Sequence, residues 1–193
     1  MALELYKRLG DALLQFEEKG KLILGVCNGF QVLIKTGFIP FRSESPAEMR
    51  ATLTGNDSGK FEDRWVHLSV EPETICIFTQ NMRPQIELPV ANGEGKFMLR
   101  DKSDLEEIEA NGQVVLRYIS KNGRDPVYPE DPNGSLGHIA GVCNKQGTIF
   151  GLMPHPERFL HRTNHPRWTR EDIPEEGDGV GFFRNAFEYC TGM

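Results

Sequence analysis

Residues 22–26, Leu-Ile-Leu-Gly-Val, are apolar at every position and run straight into Cys27-Asn28-Gly29, after which Phe30, Leu33 and Ile34 form one stripe at helical spacing. A strand that is apolar on consecutive positions is covered on both faces, the usual condition of a parallel sheet between helical layers. A helix beginning at once behind such a strand forces a sharp turn at Cys27, and Gly37 and Pro40 then stop that helix. No other segment restricts the fold as much. The framing of Cys27 by Gly25 and Gly29 is similar to the G-x-S-x-G nucleophile elbow, with cysteine in the serine position. The two glycines are expected because flanking side chains would collide with neighbouring strands in so tight a turn.

The rest of the chain is consistent with that start. An amphipathic helix is predicted over 3–18, with Leu5, Leu9, Ala12, Leu13 and Phe16 on its apolar face and Gly20 as its stop. Residues 42–63 are polar and rich in turn formers, with a short strand at 51–53. Strands are expected at 65–70, 74–79, 86–90, 113–119, 138–143 and 147–153, a helix at 103–110 with Ser103 as N-cap, and a final helix through Phe182, Phe183, Ala186, Phe187 and Tyr189. Mixed strands and helices over 193 residues, without a repeat or clear linker, point to one three-layer α/β domain, residues 1–193, around a largely parallel sheet.

Composition excludes several functions. Hydrophobic residues at 38% and charged residues at 26% belong to a folded globular chain rather than a disordered one. A net charge of −6 offers no overall positive field for nucleic acid or an anionic membrane. No stretch approaches the roughly 20 apolar residues of a membrane span, and the first 20 residues lack the apolar core of a signal peptide, so a cytoplasmic location is expected. Four cysteines, Cys27, Cys76, Cys143 and Cys190, are then expected to be reduced, and the two N-glycosylation sequons at Asn56 and Asn133 carry no meaning.

A cysteine at a helix N-terminus gains thiolate character from the dipole and the unpaired N–H groups, and the Asn28 N–H is placed to stabilise an oxyanion. Against this stands the reading of Cys27 as a buried structural thiol. A thiol nucleophile needs a base and an orienting group, and "GLMPHPERF" at 151–159 provides both candidates. Pro156 drives His155 toward extended geometry, and period-two alternation then sets Glu157 on the same side as His155, where its carboxylate fixes the imidazole tautomer. A proline-stiffened turn with an exposed glutamate is the plainer alternative. His161 and His165 have helical metal-ligand spacing, but Pro166 disfavours helix there and no further ligands complete a site, so no metal is expected. The glycine pairs in "NGEG" and "GDGVG" lack the strand-to-helix setting of a dinucleotide loop and read as turns.

With "GVCNGFQ" at 25–31 and "PHPE" at 154–157 in view, the chain resembles the class I glutamine amidotransferases, whose domain is flavodoxin-like. Within them it is similar to the glutaminase components of phosphoribosylformylglycinamidine synthase. That narrower likeness rests on "GVCNGFQVL", "NDSGKFEDRWVHL", "LPVANGEGKF", "DPNGSLGHIAGVCN" and "GLMPHPER", in family order over nearly the whole chain. It implies a Cys27–His155–Glu157 triad that hydrolyses glutamine through a glutamyl thioester, with Gln31 helping to hold the substrate. It also implies no cofactor in this chain, ATP and Mg on a large synthetase partner that receives the ammonia, and a small accessory subunit. Two departures accompany it. The family has further strands and helices, with a glycine-rich loop completing the oxyanion hole, ahead of the helix at 3–18, so the domain is expected to be N-terminally incomplete. Asn92 also stands where the family usually has histidine. An incomplete pocket admits a non-catalytic scaffold, and the bare elbow admits a cysteine hydrolase of another acyl substrate.

Overall fold

The computed structural model describes residues 2–43, 45–122 and 124–192; the side chains of 2–9 and 46, and with them the Leu5 and Leu9 assignments, lie outside the described residues. Among the described residues eight strands and four α-helices follow in order. They are α1 (Ala2–Glu18), β1 (Ile23–Val26), α2 (Asn28–Lys35), β2 (Ala51–Thr54), β3 (Glu62–Val70), β4 (Gln85–Asn92), β5 (Lys96–Leu99), α3 (Lys102–Ala110), β6 (Val114–Ile119), β7 (Ile139–Cys143), β8 (Ile149–Leu152) and α4 (Val180–Thr191).

Six strands form one sheet in the order β1-β8-β7-β6-β3-β4, while β2 and β5 pair separately. The sheet is mixed rather than largely parallel. Only β1 and β8 run parallel, and the pairs β8–β7, β7–β6, β6–β3 and β3–β4 are antiparallel. The expectation of parallel strands rests on the apolar run in β1, and it holds for that strand. It fails beyond it because both-face burial also occurs in antiparallel strands with helices on each side: β7 is buried at all five positions without a parallel neighbour.

Two apolar layers flank the sheet. On one face α2 places Phe30, Leu33 and Ile34 with Phe97, Val142 and Ile149, and α1 adds Leu13 and Leu14. On the other, Phe182 of α4 stacks on Phe150, which also packs against Phe78. The strand expected at 74–79 is instead a 3-10 turn, Ile77–Thr79. Cys76, Ile77 and Phe78 are apolar because they lie buried beside α4, not because they extend along a neighbour. Helix α3 is capped two residues earlier than expected, by Asp101 rather than Ser103, and the Asp104 carboxylate accepts the Asp101 N–H at 3.1 Å.

The contact between α2 and the sheet depends on two glycines. Gly25 of β1 and Gly151 of β8 face each other in the parallel register. A Cβ on Gly25 would fall 2.5 Å from Leu33, and one on Gly151 would fall 2.2 Å from Phe30. Both strands therefore present bare backbone to α2, which seats the turn between β1 and α2 tightly over the sheet. Gly29 behaves otherwise, since a Cβ there meets nothing within 4 Å. The steric reason expected for both glycines applies to Gly25 alone.

Candidate active site at the β1–α2 turn

Cys27 occupies the turn with φ 52° and ψ −105°, a conformation L-residues rarely adopt. Its N–H donates to Leu152 O at 2.8 Å, so the turn is bonded directly to the end of β8. That bond continues the β1–β8 pairing, whose last matched residues are Val26 and Leu152. The chain therefore leaves both strands side by side, into Cys27 from one and into Met153-Pro154-His155 from the other. The thiol is half-buried and lies 3.8 Å from Ala91 O near the end of β4.

His155 is 7% exposed, and its backbone N–H is anchored on Pro89 O of β4 at 2.8 Å. Its Nδ1 lies 2.6 Å from Glu157 Oε1, which assigns the proton to Nδ1 and leaves Nε2 as the accepting nitrogen. Nε2 is buried with no hydrogen-bond partner among the described residues. Glu157 reaches the imidazole through a 3-10 turn, Pro156–Arg158, rather than along the extended chain expected from alternation. The expected contact forms, by tighter geometry.

The electrostatics differ from those of a free helix-terminal thiol. Burial pushes the Cys27 thiol above its ordinary value, and nearby Glu157 adds to the rise; the Asn28 N–H and Arg158 pull in the opposite direction. The Asn28 amide thus acts on sulfur as expected for the first residue of α2, but desolvation outweighs it. At neutral pH the resting group is a thiol. Gln31 turns its amide nitrogen to Glu94 O at 2.9 Å, tying α2 to the loop between β4 and β5.

Three asparagines noted in the sequence only as two sequons and a departure from the family pattern lie behind this loop. Asn56, Asn92 and Asn133 are 6%, 4% and 0% exposed and bond to one another, which also removes both sequons as surface acceptors. Tyr118 donates to Asn133 Oδ1 at 2.6 Å. Its phenol is pushed well above the ordinary value by burial, with Asp131 and Cys27 adding to the rise. These amides lie in the three segments "NDSGK", "ANGEG" and "DPNGS", and through them the motifs knot three loops together beside the thiol. Identical short polar residues in separate glycine-containing turns are the signal the sequence offers for such a knot.

The segment after Glu157 is clamped as well. Glu87 of β4 receives two bonds from Arg167, at 2.9 and 3.1 Å, and lies 3.3 Å from Nε2 of the buried His165. His165 packs against Trp65 and Phe159. His161 pairs instead with Glu175, so the two histidines with metal-ligand spacing have separate partners. Among the described residues no three His, Cys, Asp or Glu side chains gather as a metal site, and all four cysteines are free thiols. No described helix is long and apolar enough to cross a membrane.

Comparison with known proteins gives a consistent set of relatives. Residues 1–190 match the model of the CobB/CobQ-like glutamine amidotransferase domain. The chain is 45% identical, over 98% of its length and 72% of the relative's, to the phosphoribosylformylglycinamidine synthase subunit PurQ of Dehalococcoides mccartyi. The PurQ subunit of Methanococcus maripaludis is 40% identical over 94% of this chain and 70% of its own. Among solved structures, that of PurLQS from Thermotoga maritima superimposes with a TM-score of 0.71 at 31% identity, covering 98% of this chain and 71% of that one. A glutamine amidotransferase from Thermotoga maritima, at 15% identity and a TM-score of 0.54, shares the fold.

Proposed function

Because this chain belongs to the CobB/CobQ-like glutamine amidotransferase family, we propose that it is the glutaminase component of a phosphoribosylformylglycinamidine synthase, working through Cys27, His155 and Glu157. The observation that carries the reading is the parallel β1–β8 pair, which delivers the strained cysteine turn and the His155–Glu157 pair from adjacent strand ends.

His155 Nε2 takes the thiol proton as Cys27 Sγ attacks the side-chain carbonyl of glutamine. The resulting tetrahedral oxyanion is met by the Asn28 N–H at the start of α2. Attack forms the Sγ–C bond; collapse re-forms the carbonyl as a thioester and breaks the C–N bond, and the imidazolium returns its proton to the departing nitrogen, which leaves as ammonia. Water, deprotonated by the same nitrogen, then attacks the thioester; glutamate departs and the proton returns to sulfur. Glu157 keeps Nδ1 protonated throughout and stabilises the transient imidazolium. A thiol that rests protonated suits this order, since the proton moves only when substrate is in place. Gln31 supports the substrate-side wall through Glu94 and, with its carboxamide oxygen, helps hold glutamine.

Ammonia passes to an ATP- and Mg-using synthetase subunit, joined by a small accessory subunit, in the cytoplasm; the likeness to PurLQS from Thermotoga maritima supports a multi-subunit assembly. The test is acid-quench trapping of labelled glutamyl adduct on the chain assembled with its synthetase partner. Wild type accumulates adduct and releases glutamate, and Cys27→Ala does neither. Adduct that persists in Cys27→Ala removes the nucleophile assignment, and a wild-type complex that releases no glutamate makes the chain a scaffold.

A further inference from the structure

Asn56 lies on the connection between β2 and β3 and is 6% exposed, and each of its hydrogen-bonding atoms is engaged. Its backbone carbonyl accepts the Gly59 N–H at 2.9 Å, and its Nδ2 donates to Lys60 O at 3.0 Å. Asn133 Nδ2 reaches its Oδ1 at 2.7 Å. The remaining bonds all go to the short loop between β4 and β5. The Asn56 N–H donates to Gly93 O at 3.1 Å, Nδ2 also donates to Asn92 O at 2.9 Å, and Oδ1 also accepts the Gly95 N–H at 2.9 Å. Two carbonyls that need a donor and one N–H that needs an acceptor fix the side chain, so its oxygen and nitrogen cannot exchange places.

Glu94 stands between the residues held in this way. A Cβ on Gly95 would fall 2.5 Å from Asn92 Oδ1 and 2.6 Å from Asn133 Nδ2, so the loop backbone rests directly on the buried amides. The carbonyl of Glu94 faces outward from them and accepts Gln31 Nε2 at 2.9 Å. Gln31 follows Cys27 by one turn of α2, its N–H donating to Cys27 O at 3.2 Å, and Ala91, where the loop leaves β4, has its carbonyl 3.8 Å from Cys27 Sγ. The loop therefore runs beside the first turn of α2 from the thiol to Gln31. Because the Glu94 carbonyl takes Nε2, the free end of the Gln31 amide is Oε1, an acceptor that suits an ammonium and not a carboxylate.

We propose that Asn56 is a positioning residue for glutamine hydrolysis: by holding the loop on both sides of Glu94 it sets the carbonyl that orients Gln31, so that Gln31 Oε1 meets the α-ammonium of glutamine. Asn56 makes no hydrogen bond to Cys27, His155 or Glu157 and acts through the loop alone. The inference rests on the proposed glutaminase activity. An amide that merely stabilises the fold would make the same bonds, but its loss would lower stability without changing how substrate is held.

The kinetic arm of the test uses the chain assembled with its synthetase partner and a double-mutant cycle. Asn56→Ala raises the KM for glutamine about ten- to hundredfold, the loss of one hydrogen bond to a charged group. It leaves kcat close to wild type, because Cys27 and His155 are anchored separately, on Leu152 O and Pro89 O. Gln31→Ala raises KM similarly, and adding Asn56→Ala to it raises KM no further. A loss confined to kcat, an unchanged KM in Asn56→Ala, or single effects that multiply in the double variant would each overturn the proposal. Should Asn56→Ala not fold, Asn56→Ser, whose shorter side chain reaches fewer of these partners, takes its place in the cycle. The second arm needs no activity. Hydrogen exchange at the Gly95 amide is slow in wild type and accelerates in the Asn56 variant, while the amides of β7 and β8 keep their protection. Unchanged protection of Gly95 overturns the proposal. A wild-type complex that releases no glutamate refutes the glutaminase reading, and the exchange arm then still decides whether Asn56 holds the loop.

Discussion

Replacing Gly151 by alanine tests how the cysteine turn is seated. The added Cβ would lie 2.2 Å from Cδ2 of Phe30 and 2.5 Å from Cδ1 of Ile39, well inside the closest approach carbon atoms tolerate. Neither neighbour has room to retreat: they are 0% and 1% exposed, and Phe30 is stacked on Phe97 with ring centroids 6.2 Å apart. The strain must be relieved by moving α2 off the sheet, at a cost of about 1–3 kcal/mol for such overpacking. With a urea m-value of about 2 kcal/mol/M, the unfolding midpoint should fall by about 0.5–1.5 M at unchanged m. Because α2 begins at Asn28, the same displacement shifts the turn, and glutaminase activity in the complex should fall further than stability alone explains. Gly29→Ala is the matched control. Its Cβ meets nothing, and alanine favours helix over glycine by up to about 1 kcal/mol, so its midpoint should stay or rise. A Gly151→Ala midpoint equal to wild type, or an equal loss in both variants, would refute the idea that the glycine pair sets the seat of α2.

Cys27→Gly should remove activity yet stabilise the fold by about 1–3 kcal/mol, since glycine adopts φ 52° without strain; a less stable variant in urea titration would contradict a strained turn. Alkylation of Cys27 by iodoacetamide should rise with pH only above the range of an ordinary thiol, because burial holds the group protonated, and Arg158→Ala should move that rise higher still by removing a positive neighbour. The same shift fixes a sign for stability: between the unfolded and the folded thiol pKa the native state binds more protons, so this group's contribution is complete below the unfolded value and is lost as pH climbs. Glu87 has the opposite sign. Burial would raise its pKa, but the bonds from Arg167 and the charge at His67 prevail and hold it below the ordinary carboxylate range, so its contribution is lost as pH falls through the folded value. Glu87→Gln should lower the urea midpoint at neutral pH by an amount worth about 1–3 kcal/mol and should flatten the acid limb of the stability profile.

The turn around Cys27 is more legible in the sequence than the strand directions of the sheet. Local pattern locates β1, the turn and α2 closely, because one short segment contains both the apolar run and the helical stripe. Strand direction is not legible, since burial on both faces follows from covering layers rather than from the sense of a neighbour, and β7 shows that an antiparallel strand can be wholly buried. Cys76, Ile77 and Phe78 illustrate the same ambiguity on a smaller scale: three buried residues satisfy a strand pattern or a single 3-10 turn equally well.

At the site, His155 and Glu157 can be found together because their contact is local, two residues apart. The state of the thiol is misread for the converse reason. The lowering by a helix N-terminus can be read from the residues that follow the cysteine, whereas the larger rise from burial depends on chain that folds over it from far away in sequence, including Ala91 at the end of β4. Asn56, Asn92 and Asn133 are hidden by the same distance. Each alone reads as a turn residue, and only the pairing of β3 with β4 and the return of the 131–135 loop turn three isolated amides into one network with a defined direction for every donor. A sequence therefore exposes the candidate reacting groups of such a site more readily than the groups that surround them and set their ionisation, because the former cluster by local geometry and the latter by topology.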